Sequence, residues 1–147
     1  MTVQILQPVA ILLLWSMVMW VWMYITRLPA IARSNLDAKT MVGSQGHDFD
    51  GVLPDSAQWK AHNYNHLMEQ PTVFYAACLT LAMLGAGDGF NAQLAWVYVA
   101  FRIVHSLVQA TVNRVPVRFA LHFIGSIPLI MLAAHAVFAS FGWWPIH

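Results

Sequence analysis

Residues 3–25 read VQILQPVAILLLWSMVMWVWMYI, without a charged side chain. About 20 apolar residues in a helix cross a hydrocarbon core of about 30 Å. Inside lipid no water is at hand for the backbone, so such a run must be a helix or part of a closed barrel. Four segments reach spanning length: 3–25, 59–84, 90–112 and 117–141. Their apolar residues are continuous rather than alternating, and each run far exceeds a barrel strand of about 10 residues. The sequence therefore predicts an all-α membrane protein, a four-transmembrane-helix bundle forming a single domain over 1–147. Composition agrees, since 59% of the residues are hydrophobic and 9% charged, against about 25% charged in soluble domains. A net charge of +1 gives no basis for a nucleic-acid surface. The lone Cys78 cannot close an internal disulfide and leaves the redox compartment open. The first run is too long and too rich in Trp for a cleaved leader, and reads as a retained membrane helix.

The connections are unequal. Residues 27–58 form a long polar loop containing GSQGHDFDGVLPDS, whereas GAGDG (85–89) and NRVP (113–116) are tight turns. Asp55 with Gln58 three residues on reads as a capping box for the second helix. Pro116 suits the first turn of the fourth helix, and Pro128 is placed to bend it. Arg27, Arg33, Lys39, Lys60, Arg114 and Arg118 all belong to the ends flanking the first and third loops, and the second turn has no cation. The positive-inside rule then puts those loops in the cytoplasm and both termini outside. Trp20, Trp22 and Tyr24 fall at the inner interface and Trp143 and Trp144 at the outer one, as anchoring aromatics do. Short loops and the lack of an organelle signal fit a bacterial inner membrane.

A charge within a membrane helix costs a few kcal/mol or more and usually faces a partner or a wet cavity. Three helices carry such groups, each mostly along one face. Helix two has His62, Asn65, His66 and Glu69; helix three has Arg102, His105 and Gln109; helix four has Arg118, His122, Gly125 and Ser126. All lie toward the expected cytoplasmic half. Glu69 and Arg102, the deepest charges of each sign, are expected to pair, either locking two helices together or building a site. Arg118 falls in the first turn of helix four, where the helix dipole and free N–H groups favour an anion. Arg114 stands just outside that turn. Such a start suits a carboxylate or a thiolate; interfacial snorkelling is the ordinary alternative for Arg118 taken alone.

His62, His66, Glu69, His105 and His122 could supply metal ligands, because His-x-x-x-His is a helical ligand spacing. Against a metal site, no second carboxylate lies in a membrane segment, no repeated Glu-x-x-His pattern occurs, and Arg102 and Arg118 would repel a cation. No metal is expected. Ser106 and Ser126 show no triad, and Cys78 lies away from the arginines. His47, His135 and His147 read as loop, packing and terminal residues.

The stretch RIVHSLVQATVNRVPVR, residues 102–118, resembles the third-to-fourth-helix signature of the MAPEG family, the membrane-associated proteins in eicosanoid and glutathione metabolism. That signature has Arg, then His or an aromatic three on, often Tyr at plus seven, then Arg-x-Pro-x-Arg. Here these are Arg102, His105, Gln109, Arg114, Pro116 and Arg118. AHNYNHLMEQP, residues 61–71, is similar to the family's second-helix motif of Ala-His followed by Asn, Glu and Pro. Asn65 and Glu69 are four apart rather than the usual three, which leaves open whether Asn65 or His66 faces inward. Gln109 stands in place of the common Tyr, His122 where some members have Tyr, and Phe119 where some have Ser.

The resemblance implies a homotrimer in the lipid bilayer, with glutathione as cosubstrate bound between subunits near the cytoplasmic face. Arg118 would stabilise the thiolate. Asn65, His66, Glu69, Arg102, His105, Gln109, Arg114 and His122 would line the site. The thiolate would attack a hydrophobic, electrophilic small molecule arriving from the bilayer, in a glutathione transferase of the microsomal type or a relative in thiol chemistry. The departures at Gln109, Phe119 and the Asn–Glu spacing motivate the alternative, a non-enzymatic scaffold or lipid-binding protein that keeps the family fold.

Overall fold

The computed structural model describes residues 3–34, 42–43 and 45–143, with only the backbone at His47. Lys39, Trp144, His147 and the His47 side chain lie outside the described residues. Five α-helices account for most of the chain: α1 (Leu6–Arg33), α2 (Asp55–Leu67), α3 (Gln70–Met83), α4 (Phe90–Thr111) and α5 (Val115–Ser140). A short 3-10 helix, Gly46–Phe49, sits between α1 and α2, and no strand occurs among the described residues.

Three helices are long and apolar enough to cross a bilayer: α1, α4 and α5. They match the expected first, third and fourth runs. α1 continues to Arg33, past the boundary expected at residue 25 and through Pro29, so the first loop is shorter than the sequence suggested. The expected second helix, 59–84, begins at Asp55 and is two helices. The break falls at Met68 and Glu69, just before Pro71. Proline has no N–H to give to the carbonyl four residues back, and its ring clashes with that carbonyl. The first turn of a new helix tolerates it, and Pro71 sits there. Pro116 plays the same part in α5, as expected. The capping box does not form. Pro54 is the N-cap of α2, without a side-chain cap bond, and the Gln58 amide donates to Asp50 instead, at 2.6 Å.

The polypeptide threads back and forth, which gathers the polar ends. At one end the Ile5 N–H donates to the Gly87 carbonyl at 2.9 Å, and the Gln4 N–H to Asp88 at 2.8 Å. Gly87 allows this approach: a Cβ there would stand 2.5 Å from Val3 Cγ1. At the other end Arg27 donates to the Gly46 carbonyl at 2.9 Å, and Lys60 lies 5.4 Å from the Trp22 ring centroid. The cations of α1, α2 and the α4–α5 turn thus collect opposite the N-terminus.

Between these ends the core is apolar and closely packed. Phe74 and Tyr98 stack at 4.5 Å between centroids, among Leu12, Leu81 and Leu132, all fully buried. α4 and α5 approach closely at Gly125, where a Cβ would meet Phe101 Cβ at 2.9 Å. A polar tie joins three helices. Ser106 Oγ on α4 accepts from Asn63 on α2 at 2.7 Å and from Trp15 on α1 at 3.0 Å. The outer surface is apolar, with Leu14, Ile25, Phe119, Phe123 and Ile130 each more than 60% exposed, as suits helices facing lipid.

Candidate functional site: a cavity of imidazoles and arginine at the start of α5

The break between α2 and α3 has a consequence for chemistry. In an unbroken helix the His66 carbonyl would accept from the N–H four residues on. Here it accepts from Arg102 Nη2 at 2.7 Å. The same Nη2 lies 3.0 Å from His66 Nδ1. Nη1 lies 3.0 Å from His122 Nδ1 and 3.5 Å from Gln70 Oε1. Arg102 is 3% exposed, so a buried cation is held by neutral groups from α2, α3 and α5.

The expected Glu69–Arg102 pair is absent. Glu69 is exposed at the helix break, and among the described residues Arg102 has no carboxylate in ion-pair contact; the Asp50 carboxylate lies 3.0 Å from His62 Nε2 instead. The backbone turns away at Met68–Glu69 and takes the carboxylate with it, while the carbonyl it releases takes the carboxylate's place.

Three imidazoles surround this arginine. His66 and His105 stack at 4.9 Å between centroids, His66 meets His122 edge-on at 5.1 Å, and His105 and His122 are 5.8 Å apart. One nitrogen from each lies within 4.8 Å of the others. These rings, with Arg118, Val115 and Phe119, line a cavity of about 200 Å³. Arg118 enters from the first turn of α5. Its Nη1 donates to Asn113 Oδ1 at 2.6 Å, and its buried Nε has no partner among the described residues. Asn113 closes α4 with φ of +52°, a left-handed turn that Asn tolerates better than most residues. That turn brings its side chain back onto Arg118. Gln70 steadies the far side, donating to Ser126 at 2.8 Å, and Ser126 donates to the His122 carbonyl at 2.7 Å. A larger groove of about 480 Å³ lies between the end of α1 and residues 52–57, but among the described residues Arg33 is its only cation and no imidazole lines it.

Of the residues singled out in the sequence, His66, Arg102, His105, His122 and Arg118 come together. His66, not Asn65, turns inward; Asn65 is exposed, as is Arg114. Gln109 is buried at 3% exposure, lies outside the cavity lining, and has no partner for Oε1 among the described residues. His62 pairs with Asp50, away from the cluster. His135 packs near the opposite end, its Nδ1 2.7 Å from Asn91 Oδ1. Gln70 and Asn113 were not singled out. Their signals were present, one directly before Pro71 and the other directly before Arg114.

An apolar-faced helical bundle with a buried arginine and a cavity of imidazoles and arginine is an integral membrane protein built around a small polar site. The sequence matches the MAPEG family over residues 5–138, and the chain belongs to that family. No curated protein and no solved structure matches it.

Proposed function

We propose that the protein is a membrane-bound, glutathione-dependent transferase, or runs related thiol chemistry, on a lipophilic electrophile. The observation that carries this reading is Arg118 and three imidazoles lining one cavity at the start of α5, with Val115 and Phe119 as its apolar members. A cation beside a helix N-terminus favours a thiolate. A thiol of pKa about 8.5 falls to about 3.5–7.5 in such surroundings. The bound thiolate attacks the electrophilic carbon, an S–C bond forms, and the leaving group departs with its electron pair. The protein supplies the ionised nucleophile and its proximity. Pro116 withholds one N–H from the first turn of α5, so Arg118 bears more of that task.

In this reading α2 and α3 together make the fourth crossing. A broken helix inside a membrane is tolerated where it lines a polar cavity. The protein works as a homotrimer in which a neighbouring subunit completes the cavity, and exposed Asn65, Glu69 and Arg114 then reach the ligand from the subunit boundary, with Gln109 behind them. The cationic end faces the cytoplasm and both termini face outward, as in a bacterial inner membrane.

Isothermal titration of the detergent-solubilised protein with glutathione tests the reading. Binding at millimolar glutathione or below is expected, with a thiolate absorbance in the ultraviolet. Arg118→Ala lowers turnover by about 10²–10³, the scale for losing one preorganised electrostatic contact, and affects affinity less. No binding at any pH near neutral overturns the proposal and leaves the scaffold or lipid-binding alternative.

A further inference from the structure

The hydrogen bonds of Arg102 decide what the imidazoles can offer. A guanidinium has only donors. Both nitrogens it meets on the rings, His66 Nδ1 and His122 Nδ1, must therefore accept. An accepting Nδ1 carries a lone pair, so in each neutral ring the proton sits on Nε2. Nε2 points away from Arg102, and both rings line the cavity beside Arg118.

We propose that Arg102 is a positioning residue that holds His66 and His122 as Nε2–H tautomers, so that the cavity offers N–H donors to an anionic group and refuses a metal ion. The three-histidine grouping alone would suit a divalent cation, its ligand atoms lying within 4.8 Å of one another. Binding a metal through Nε2 would need the proton on Nδ1, where it would face an arginine N–H. Binding through Nδ1 would need Arg102 to leave a place where the His66 carbonyl also holds it. A metal-ligating histidine normally donates its other N–H to an acceptor; here Nδ1 of two rings faces an Arg102 N–H, which is itself a donor. The same arrangement suits an anion: two N–H groups, the Arg118 guanidinium and a buried arginine with, among the described residues, no carboxylate in ion-pair contact.

The inference deepens the thiol reading of the same cavity, and its test separates the two. Nitrogen NMR on protein labelled with ¹⁵N-histidine, in detergent and without ligand, distinguishes pyridine-like from pyrrole-like nitrogens; His66→Gln and His122→Gln assign the signals. Pyridine-like Nδ1 and pyrrole-like Nε2 are expected in both rings. Arg102→Lys restores a donor to one ring at most, and Arg102→Gln loses the single-tautomer signature in at least one. A pyrrole-like Nδ1 in either wild-type ring overturns the positioning role, even where glutathione binds. Cobalt(II) titration is the second arm. Wild type gives no tetrahedral d–d absorption, and stoichiometric uptake through these rings overturns the proposal. Glutathione and S-methylglutathione are the third. Movement of the Nε2–H resonances with glutathione alone assigns the anion as thiolate, and movement with both assigns it as carboxylate. No movement with either overturns the anion assignment, while the tautomers, read without ligand, stand or fall on their own.

Discussion

Ser106→Ala removes one oxygen and leaves two donors behind. Ser106 Oγ accepts from Asn63 Nδ2 at 2.7 Å and Trp15 Nε1 at 3.0 Å. Ser106 is fully buried, Asn63 is 1% exposed, and Asn63 Oδ1 has no partner among the described residues. The variant thus leaves a wholly unpartnered amide between α1, α2 and α4. Stranding a buried polar group costs about 1–3 kcal/mol, and an interhelical bond in a membrane protein is worth about 0.6 kcal/mol. Together these set a loss of about 2–3 kcal/mol, or a fall in Tm of roughly 4–12 °C for a chain of this size. Cys78 supplies the assay. It is the only cysteine and fully buried, so a dye that fluoresces on reaction with a thiol reports unfolding. In an Asn63→Leu background the same change removes only the tryptophan bond and costs about 0.6 kcal/mol. Equal costs in both backgrounds, or a wild-type loss under about 0.5 kcal/mol, would refute the claim that Ser106 ties the three helices.

Other outcomes follow from single contacts. Glu69→Gln leaves stability within about 0.5 kcal/mol of wild type, as an exposed side chain should; a buried ion pair broken there would cost about 3–5 kcal/mol, and the same dye melt distinguishes them. Gly125→Ala puts a Cβ against Phe101 Cβ at 2.9 Å and destabilises by about 1–3 kcal/mol. Phe101→Ala keeps the offending atom and does not rescue the melting temperature; a full rescue would refute the close approach. Asn113→Gly keeps the left-handed turn and removes only the bond to Arg118. It should leave the melt nearly unchanged while weakening glutathione binding or turnover, and equal activity would show that Arg118 needs no support from Asn113.

The site was legible in its cations and imidazoles but not in its pairing. Periodicity put His66, Arg102, His105 and His122 on helix faces that could meet, and they do. It could not show that Glu69 would stand outside, because that depends on where the backbone breaks. Pro71 carried the signal for the break, but a proline in a membrane segment either kinks, breaks or is absorbed, according to what neighbouring helices offer the freed carbonyl. Arg102 offers the His66 carbonyl one N–H, from Nη2, and it lies on α4, more than 30 residues away. The Asn65–His66 ambiguity had the same origin: neighbours on a helix differ by about 100° in direction, and only packing against α4 selects His66.

The sequence by itself determined the class of the molecule. Uninterrupted apolar runs admit few structures other than helices in a bilayer, and tight turns at 85–89 and 113–116 fix where α3, α4 and α5 end or begin, within two residues of expectation. Only the tertiary structure decided which polar groups neutralise one another. A buried arginine needs acceptors at about 3 Å in its own plane, and groups from α2, α3 and α5 supply them. Geometry awarded the place to the His66 carbonyl, freed where the helix breaks at Met68–Glu69, and to two imidazole nitrogens, and through them set which protons line the cavity.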